Sequence, residues 1–400
     1  MEFNPSRLAL ARKRLGLSKT SLAAESGISV RSLGYYESET GSVVPSEEHL
    51  TILASILKLP IEFFFGPDLE EFNSNAASFR SLTTLTSSER DSALANGRFA
   101  MLLSDWIDKK FHLPVASIPS LRDFEAEGAA QALREHWGLG QRPISNVVHC
   151  LESRGARVFS LPVDSRAVDA FSLWHGKVPF VFLNTKKSAE HTRFDCAHEL
   201  GHLTLHTHGA PRSSRTREIE TEANRFASAF LMPEGDLLAH IPPPRTITMR
   251  TIHRLKKRWG VSAIALVFRL HKLKVISDWQ YRSLCVQLSE DGYRSGEADG
   301  IRRDGSQIFT KVFSALKAEG ITRGTIAKDL NLTPALIDSL LVGLVIASVP
   351  TSSDDGYTTQ LSAEDLGERR PRPSLKVVNA SVFGSVEVDA NKDSRSSDNT

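Results

Sequence analysis

His198-Glu199-Leu200-Gly201-His202 decides how this chain of 400 residues is read. In a helix, residues four apart lie on one face about 6 Å apart along the axis, so both imidazoles can converge on one ion. Glu199, about 100° round the same helix, reaches the side left open. This H-E-x-x-H spacing suits a divalent metal that takes three protein ligands and keeps one position for water, whose pKa the ion lowers to near 7. Glu199 can then take that water's proton.

Three places downstream compete to supply the third ligand. His208 would serve in the longer motif that has a glycine three residues after the second histidine, but Leu205 stands at that position. His206 shares a face with His202 yet lies a further turn along, which makes it a supporting or structural histidine. The acidic run Glu218-Ile219-Glu220-Thr221-Glu222-Ala223-Asn224 remains. In its helix Ile219, Ala223, Phe226, Ala227, Phe230 and Leu231 form the buried stripe, and Glu220 and Asn224 flank one edge of it. Glu220 can therefore ligate while Asn224 hydrogen-bonds a ligand histidine from behind.

The surroundings mix helix and strand. A helix ends near Gly155, residues 156–161 and 178–183 read as strands, and Pro179 assigns the second of these to an edge. Two helices follow at roughly 190–206 and 216–232, the second stopped by Pro233. Upstream, residues 1–66 form about five short helices punctuated by Gly16, Gly27, Pro45 and Pro60. Residues 73–92 hold eleven Ser, Thr or Asn in twenty, a linker composition. It leads to a helix opening with the capping box Thr86-Ser87-Ser88-Glu89 and burying Phe99, Leu102, Leu103, Trp106 and Ile107. Residues 277–347 read as helical, and 348–400 as a solvated tail.

The run Arg193-Phe194-Asp195-Cys196-Ala197-His198-Glu199-Leu200-Gly201-His202-Leu203, with Glu220-Thr221-Glu222-Ala223-Asn224-Arg225-Phe226-Ala227 and Leu231-Met232-Pro233, resembles the ImmA/IrrE family of zinc metallopeptidases. The resemblance covers about residues 120–275. It implies zinc, with manganese as the alternative, held by His198, His202 and Glu220, with Glu199 as the catalytic carboxylate. It also implies a repressor-like protein as substrate, cleaved in stress or mobile-element control. Asp195-Cys196 departs from the Thr-Leu usual in that family. Cys196 reads as a small buried residue rather than a redox-sensitive one.

A second signature lies at the start. Residues 1–36 carry six basic side chains, Arg7, Arg12, Lys13, Arg14, Lys19 and Arg31, against Glu2 and Glu25, a local net of +4. Leu17-Ser18-Lys19-Thr20-Ser21-Leu22-Ala23, then Gly27-Ile28-Ser29-Val30-Arg31-Ser32-Leu33, spells two helices joined at a glycine turn. Over about residues 5–66 this resembles the XRE/Cro-type helix-turn-helix family. The resemblance implies a homodimer on a double-stranded DNA operator. Ser29, Val30, Arg31 and Tyr35 would face bases, and Lys19 and Ser32 would hold phosphate. Lys19 replaces the glutamine frequent in the family.

Residues 321–332 also spell a helix-turn-helix-like stretch. No Lys or Arg occurs from Asp329 to Glu368, so it reads as a packing or dimerisation element. Residues 250–282 carry nine basic residues against Asp278 alone and read chiefly as a solvated face.

Composition sets the outer bounds. Hydrophobic residues make up 40%, enough for a real core, and 49 Lys+Arg against 47 Asp+Glu exclude a histone-like coat. Cys150, Cys196 and Cys285 are too few and too scattered for a disulfide framework or a CxxC zinc knuckle. With no apolar leader after Met1 and no bilayer-length apolar run, the expectation is a cytoplasmic protein without a membrane partner.

The expected fold is multidomain: an all-α helix-turn-helix bundle at 1–67, a polar linker and packing helix at 68–119, an α+β zincin-like metallopeptidase domain at 120–276, a small helical C-terminal domain at 277–347, and a flexible tail at 348–400. The expected function is a DNA-binding transcription regulator with zinc endopeptidase activity. A second class of reading is a regulator or antitoxin whose metal-binding domain senses or docks without turnover. A third is self-cleavage within the linker.

Overall fold

The computed structural model describes residues 2–38, 43–70, 86–162, 168–206, 216–293 and 300–345. The tail, most of the linker and His208 lie outside these described residues.

Serine and asparagine caps start the first helices. Asn4, Ser18, Ser29 and Ser46 each accept a backbone N–H of the turn that follows, which satisfies donors a helix start leaves unpaired. They open α1 (Pro5–Arg14), α2 (Lys19–Ser26), α3 (Val30–Tyr36) and α4 (Glu47–Leu57), and a 3-10 turn follows at Ile61–Phe65. Gly27, at φ 70°, ends α2 in the left-handed conformation that turns the chain into α3. Leu8, Leu22, Leu33, Leu53, Leu57 and Phe63 fill the bundle. Arg12 fastens it from the side, bonded to both Glu37 oxygens at 2.6 and 2.7 Å.

The next helix, α5 (Ser87–Asp108), carries the capping box that Thr86 and Glu89 predict. Its first half packs on α1 by closing open carbonyls: Ser88 donates to Gly16 O at 2.6 Å, and Ser92 to Arg14 O at 2.8 Å. Phe99 stacks on Phe63, so α5 extends the core of the head. Its last turn reaches elsewhere: Arg157 bonds Asp108 at 3.0 Å, and Trp106 donates to Asp329 at 3.2 Å.

Two helices, α6 (Ala126–His136) and α7 (Val147–Glu152), lead into a sheet of β1 (Arg157–Ser160), β2 (Ala170–His175) and β3 (Val178–Leu183). The strand order is β1-β3-β2, with β1 parallel and β2 antiparallel to β3. This corrects the edge assignment for 178–183, because the strand containing Pro179 is central. The β1 ladder begins only at Phe180, one residue past the proline, so the missing N–H removes nothing from it. Alternation divides the sheet cleanly. Phe159, Phe171, Leu173, Phe180 and Phe182 face the core shared with the head, while Val158, Ala170, Val181 and Leu183 face the opposite core.

On that second face lie α8 (Ala189–Leu205) and α9 (Thr216–Leu231), followed by α10 (Glu234–His240), α11 (Met249–Trp259), α12 (Ala263–Lys272) and α13 (Asp278–Glu290). The chain then returns through α14 (Gln307–Ala318), α15 (Arg323–Leu330) and α16 (Pro334–Ser339) to the aromatic face, where Phe309 packs on Phe159. The 321–332 stretch is thus a packing element: Ile326, Ala327 and Leu332 are buried in the core of α5 and the sheet. Nor is the 250–282 basic run wholly solvated. Lys256 is fully buried 3.5 Å from Glu190, and the buried Arg269 pairs with Glu127 at 2.9 Å.

Candidate metal centre

The helix α8 runs between the sheet and α9, its apolar side made by Cys196, Ala197, Leu200 and Leu203. Gly201 sets how near α9 comes. A Cβ there would stand 3.0 Å from the Phe226 ring and 3.3 Å from Ala223 Cα, so the bare glycine permits the approach. That approach brings Glu220 to the two histidines. His198 Nε2 and His202 Nε2 are 3.0 Å apart, and each is 3.4 Å from an oxygen of Glu220. Among the described residues these three form the group that could hold a metal, with donor atoms within 4.8 Å of one another.

The outer nitrogens explain why the inner ones converge. His198 Nδ1 lies 3.0 Å from Asn224 Oδ1, and His202 Nδ1 lies 2.9 Å from His206 Nδ1. His206 Nε2 in turn meets Glu222 Oε2 at 3.1 Å. In the tautomers that satisfy these contacts both Nδ1 atoms donate, His206 accepts and passes its own N–H to Glu222, and both Nε2 lone pairs point at one spot beside a carboxylate. Facing lone pairs repel, and a cation relieves them. A tetrahedral ion with ligands at about 2.1 Å requires donors about 3.4 Å apart, which both histidines meet against Glu220 and from which their own 3.0 Å separation differs by a few tenths of an ångström. The residues therefore fit a zinc-sized divalent ion.

Electrostatics agree for His202 and Glu220. Burial pushes His202 down to about 3, against the pull of Glu220, which keeps its imidazole neutral as a ligand must be. Burial alone would raise Glu220, but the two imidazoles against it, His198 and His202, outweigh that and hold the carboxylate well below its usual range. His198 goes the other way: burial lowers it, and Glu220 and Glu199 outweigh that and raise it.

Glu199 is 1% exposed, and Ser172 on β2 donates to its Oε2 at 2.6 Å. Ser172 and the His206–Glu222 pair are the contacts that sequence reasoning missed. Glu222 was visible inside the acidic run, and His206 was already singled out as a supporting residue, but nothing in the sequence joins the two. Cys196 is fully buried and its thiol is pushed well up by that burial, as suits a packing residue.

In the head, Ser29, Val30, Arg31 and Tyr35 lie exposed along α3, and Ser32 is half-buried. Arg31 lies over the Tyr35 ring and donates to its hydroxyl at 3.1 Å. Ser29 caps α3 through the Ser32 N–H at 3.0 Å. Lys19, at the start of α2, is 3.5 Å from Glu37.

The geometry defines two classes of module: a helix-turn-helix head and a helical unit, backed by a small sheet, whose His/Glu group could hold a metal. Comparison with known families gives the same two in the same order. Residues 8–64 match the family model described as helix-turn-helix, and residues 151–271 match that of the IrrE N-terminal-like domain, a peptidase family. No curated protein matches the chain. The chain thus carries a helix-turn-helix DNA-binding domain followed by a metallopeptidase-like domain, and all five residues His198, Glu199, His202, Glu220 and Asn224 fall within the second match. Among the described residues no helix is long and apolar enough to cross a membrane.

Proposed function

We propose that this protein is a cytoplasmic transcription regulator whose DNA-binding head accompanies a zinc-dependent endopeptidase, and that it hydrolyses repressor-like proteins in stress or mobile-element control. One observation carries the reading: His198, His202 and Glu220 converge with a buried Glu199 beside them, in a chain that also bears a helix-turn-helix head. Zinc, or manganese in its place, would supply a Lewis acid and a water acidic enough to react near neutral pH. Glu199 takes a proton from the attacking water and passes it to the leaving amine. Asn224 and His206 hold the two imidazoles in the ligating tautomer, and Glu220 brings the negative charge that favours a cation.

On the DNA side, Ser29, Val30, Arg31 and Tyr35 read base edges of a double-stranded operator. Lys19 exchanges Glu37 for phosphate, beside Ser32, and the head binds as a homodimer. The working units are the head at 1–67, the peptidase domain at 120–276 with 68–119 between them, a helical unit at 277–347 and a tail at 348–400. Glu199→Gln tests the chemistry. The variant should keep its metal and lose all cleavage of a helix-turn-helix repressor substrate, whereas cleavage at the wild-type rate would remove Glu199 as the base.

A further inference from the structure

β2 alternates strictly. Phe171 and Leu173 enter the aromatic core, while Ala170, Ser172 and Trp174 turn toward α8. Ser172 is the polar member of that second row. It is fully buried, in register with Val181 of the central strand. A hydroxyl buried without a partner is destabilising, and alanine or valine would pack the position without that cost. The partner is the base of the proposed reaction. Ser172 Oγ stands 2.6 Å from Glu199 Oε2 and 3.4 Å from the Glu199 carbonyl. An ionised carboxylate only accepts, so the serine donates, and 2.6 Å is the length of a charge-assisted O–H···O⁻ bond.

We infer that Ser172 is the positioning residue for Glu199: it clamps one carboxylate oxygen to the sheet so that the other meets the attacking water. This rests on the metal-centre reading above. Glu199 carries three side-chain torsions on α8, and the helix backbone restricts only the first of them. A base that wanders by an ångström loses reach of its proton. The clamp comes from another element, so the rotamer is set by the packing of β2 against α8. A purely structural serine would serve Glu199 in any rotamer, whereas a positioning serine is felt by whatever shares a proton with the base.

A hydroxamate supplies that readout without turnover, because it chelates the metal through two oxygens and gives its hydroxyl proton to the base. The experiment uses the full-length chain loaded with Co(II), titrated with acetohydroxamic acid and followed by visible absorption. The proteins compared are the wild type, Ser172→Ala, Ser172→Thr, Glu199→Ala and the Ser172→Ala/Glu199→Ala double variant. All should bind one cobalt per chain. Ser172→Ala should weaken the hydroxamate about tenfold, threonine should restore most of it, and the double variant should bind no worse than Glu199→Ala. Wild-type affinity in Ser172→Ala, or a serine loss undiminished in the Glu199→Ala background, would overturn the role. Cobalt lost from Ser172→Ala would make the serine a structural residue instead. A wild-type chain that binds no cobalt would contradict the metal centre itself and this role with it.

Discussion

Each histidine of the proposed metal site is held from behind by a different device. Asn224 serves His198 from the same helix as Glu220, one turn on, so a single element delivers both a ligand and a support. His202 instead leans on His206, which leans on Glu222. The second arrangement is the more vulnerable, because a neutral imidazole sits between the ligand and the charge that orients it. His206→Ala should leave the fold intact and loosen metal binding by about 10- to 100-fold, the scale on which outer partners act. A competition titration with a chromophoric chelator measures this, and unchanged affinity would show that His202 needs no such support. At this scale the sequence was legible where helical periodicity fixes neighbours: four-residue spacing places His198 with His202 and Glu220 with Asn224. It was silent on Ser172, because a serine in a strand carries no period that points to a partner 27 residues on.

At the scale of elements, Glu152 ties the two cores together. It ends α7, and its carboxylate accepts from the Gln307 and Ile308 N–H groups at 2.9 and 3.1 Å and from the Ser306 hydroxyl, thereby capping α14. Burial pushes it up to about 7, although the bonds from Ser306, Ile308 and Gln307 pull it down. A carboxyl held above its ordinary value of 4.5 binds an extra proton in the folded chain. Its contribution is therefore complete below about pH 4.5 and is lost as pH rises through about 7. Urea unfolding of wild type and Glu152→Gln should show the wild-type advantage shrinking between pH 5 and 8, and a constant difference across that range would contradict the assignment.

The same scale shows where the sequence misled. Residues 170–175 went unread as a strand because four of the six are buried and the run lacks polar alternation. Without β2, residues 178–183 looked like an edge. Both long helices of the site, by contrast, end within a residue or two of where their patterns and Pro233 place them.

For the whole molecule, the informative feature is continuity. One hydrophobic core runs from Leu8 and Leu53 through Phe63 and Phe99 of α5 to Phe171 and Phe182 of the sheet, and on to Phe309 and Ile337. The sequence places a polar linker and a packing helix at 68–119, but that α5 packs on α1 of the head is a tertiary matter that composition does not carry. The two chemistries still use separate side chains. Arg31→Ala should weaken operator binding by about 1–3 kcal/mol and leave metal content untouched, measured by fluorescence anisotropy at fixed salt. Equal affinity in that variant would move base reading away from α3.

The central claim is that three named side chains hold one ion while a fourth is kept for the reaction. The most direct test is zinc content per folded chain, measured by atomic emission under matched metal supply, in wild type, His198→Ala, Glu220→Ala and Glu199→Gln. The account predicts about one zinc in the wild type and in Glu199→Gln, and its loss or marked weakening in the other two. Full zinc in Glu220→Ala, or none in the folded wild type, would contradict it.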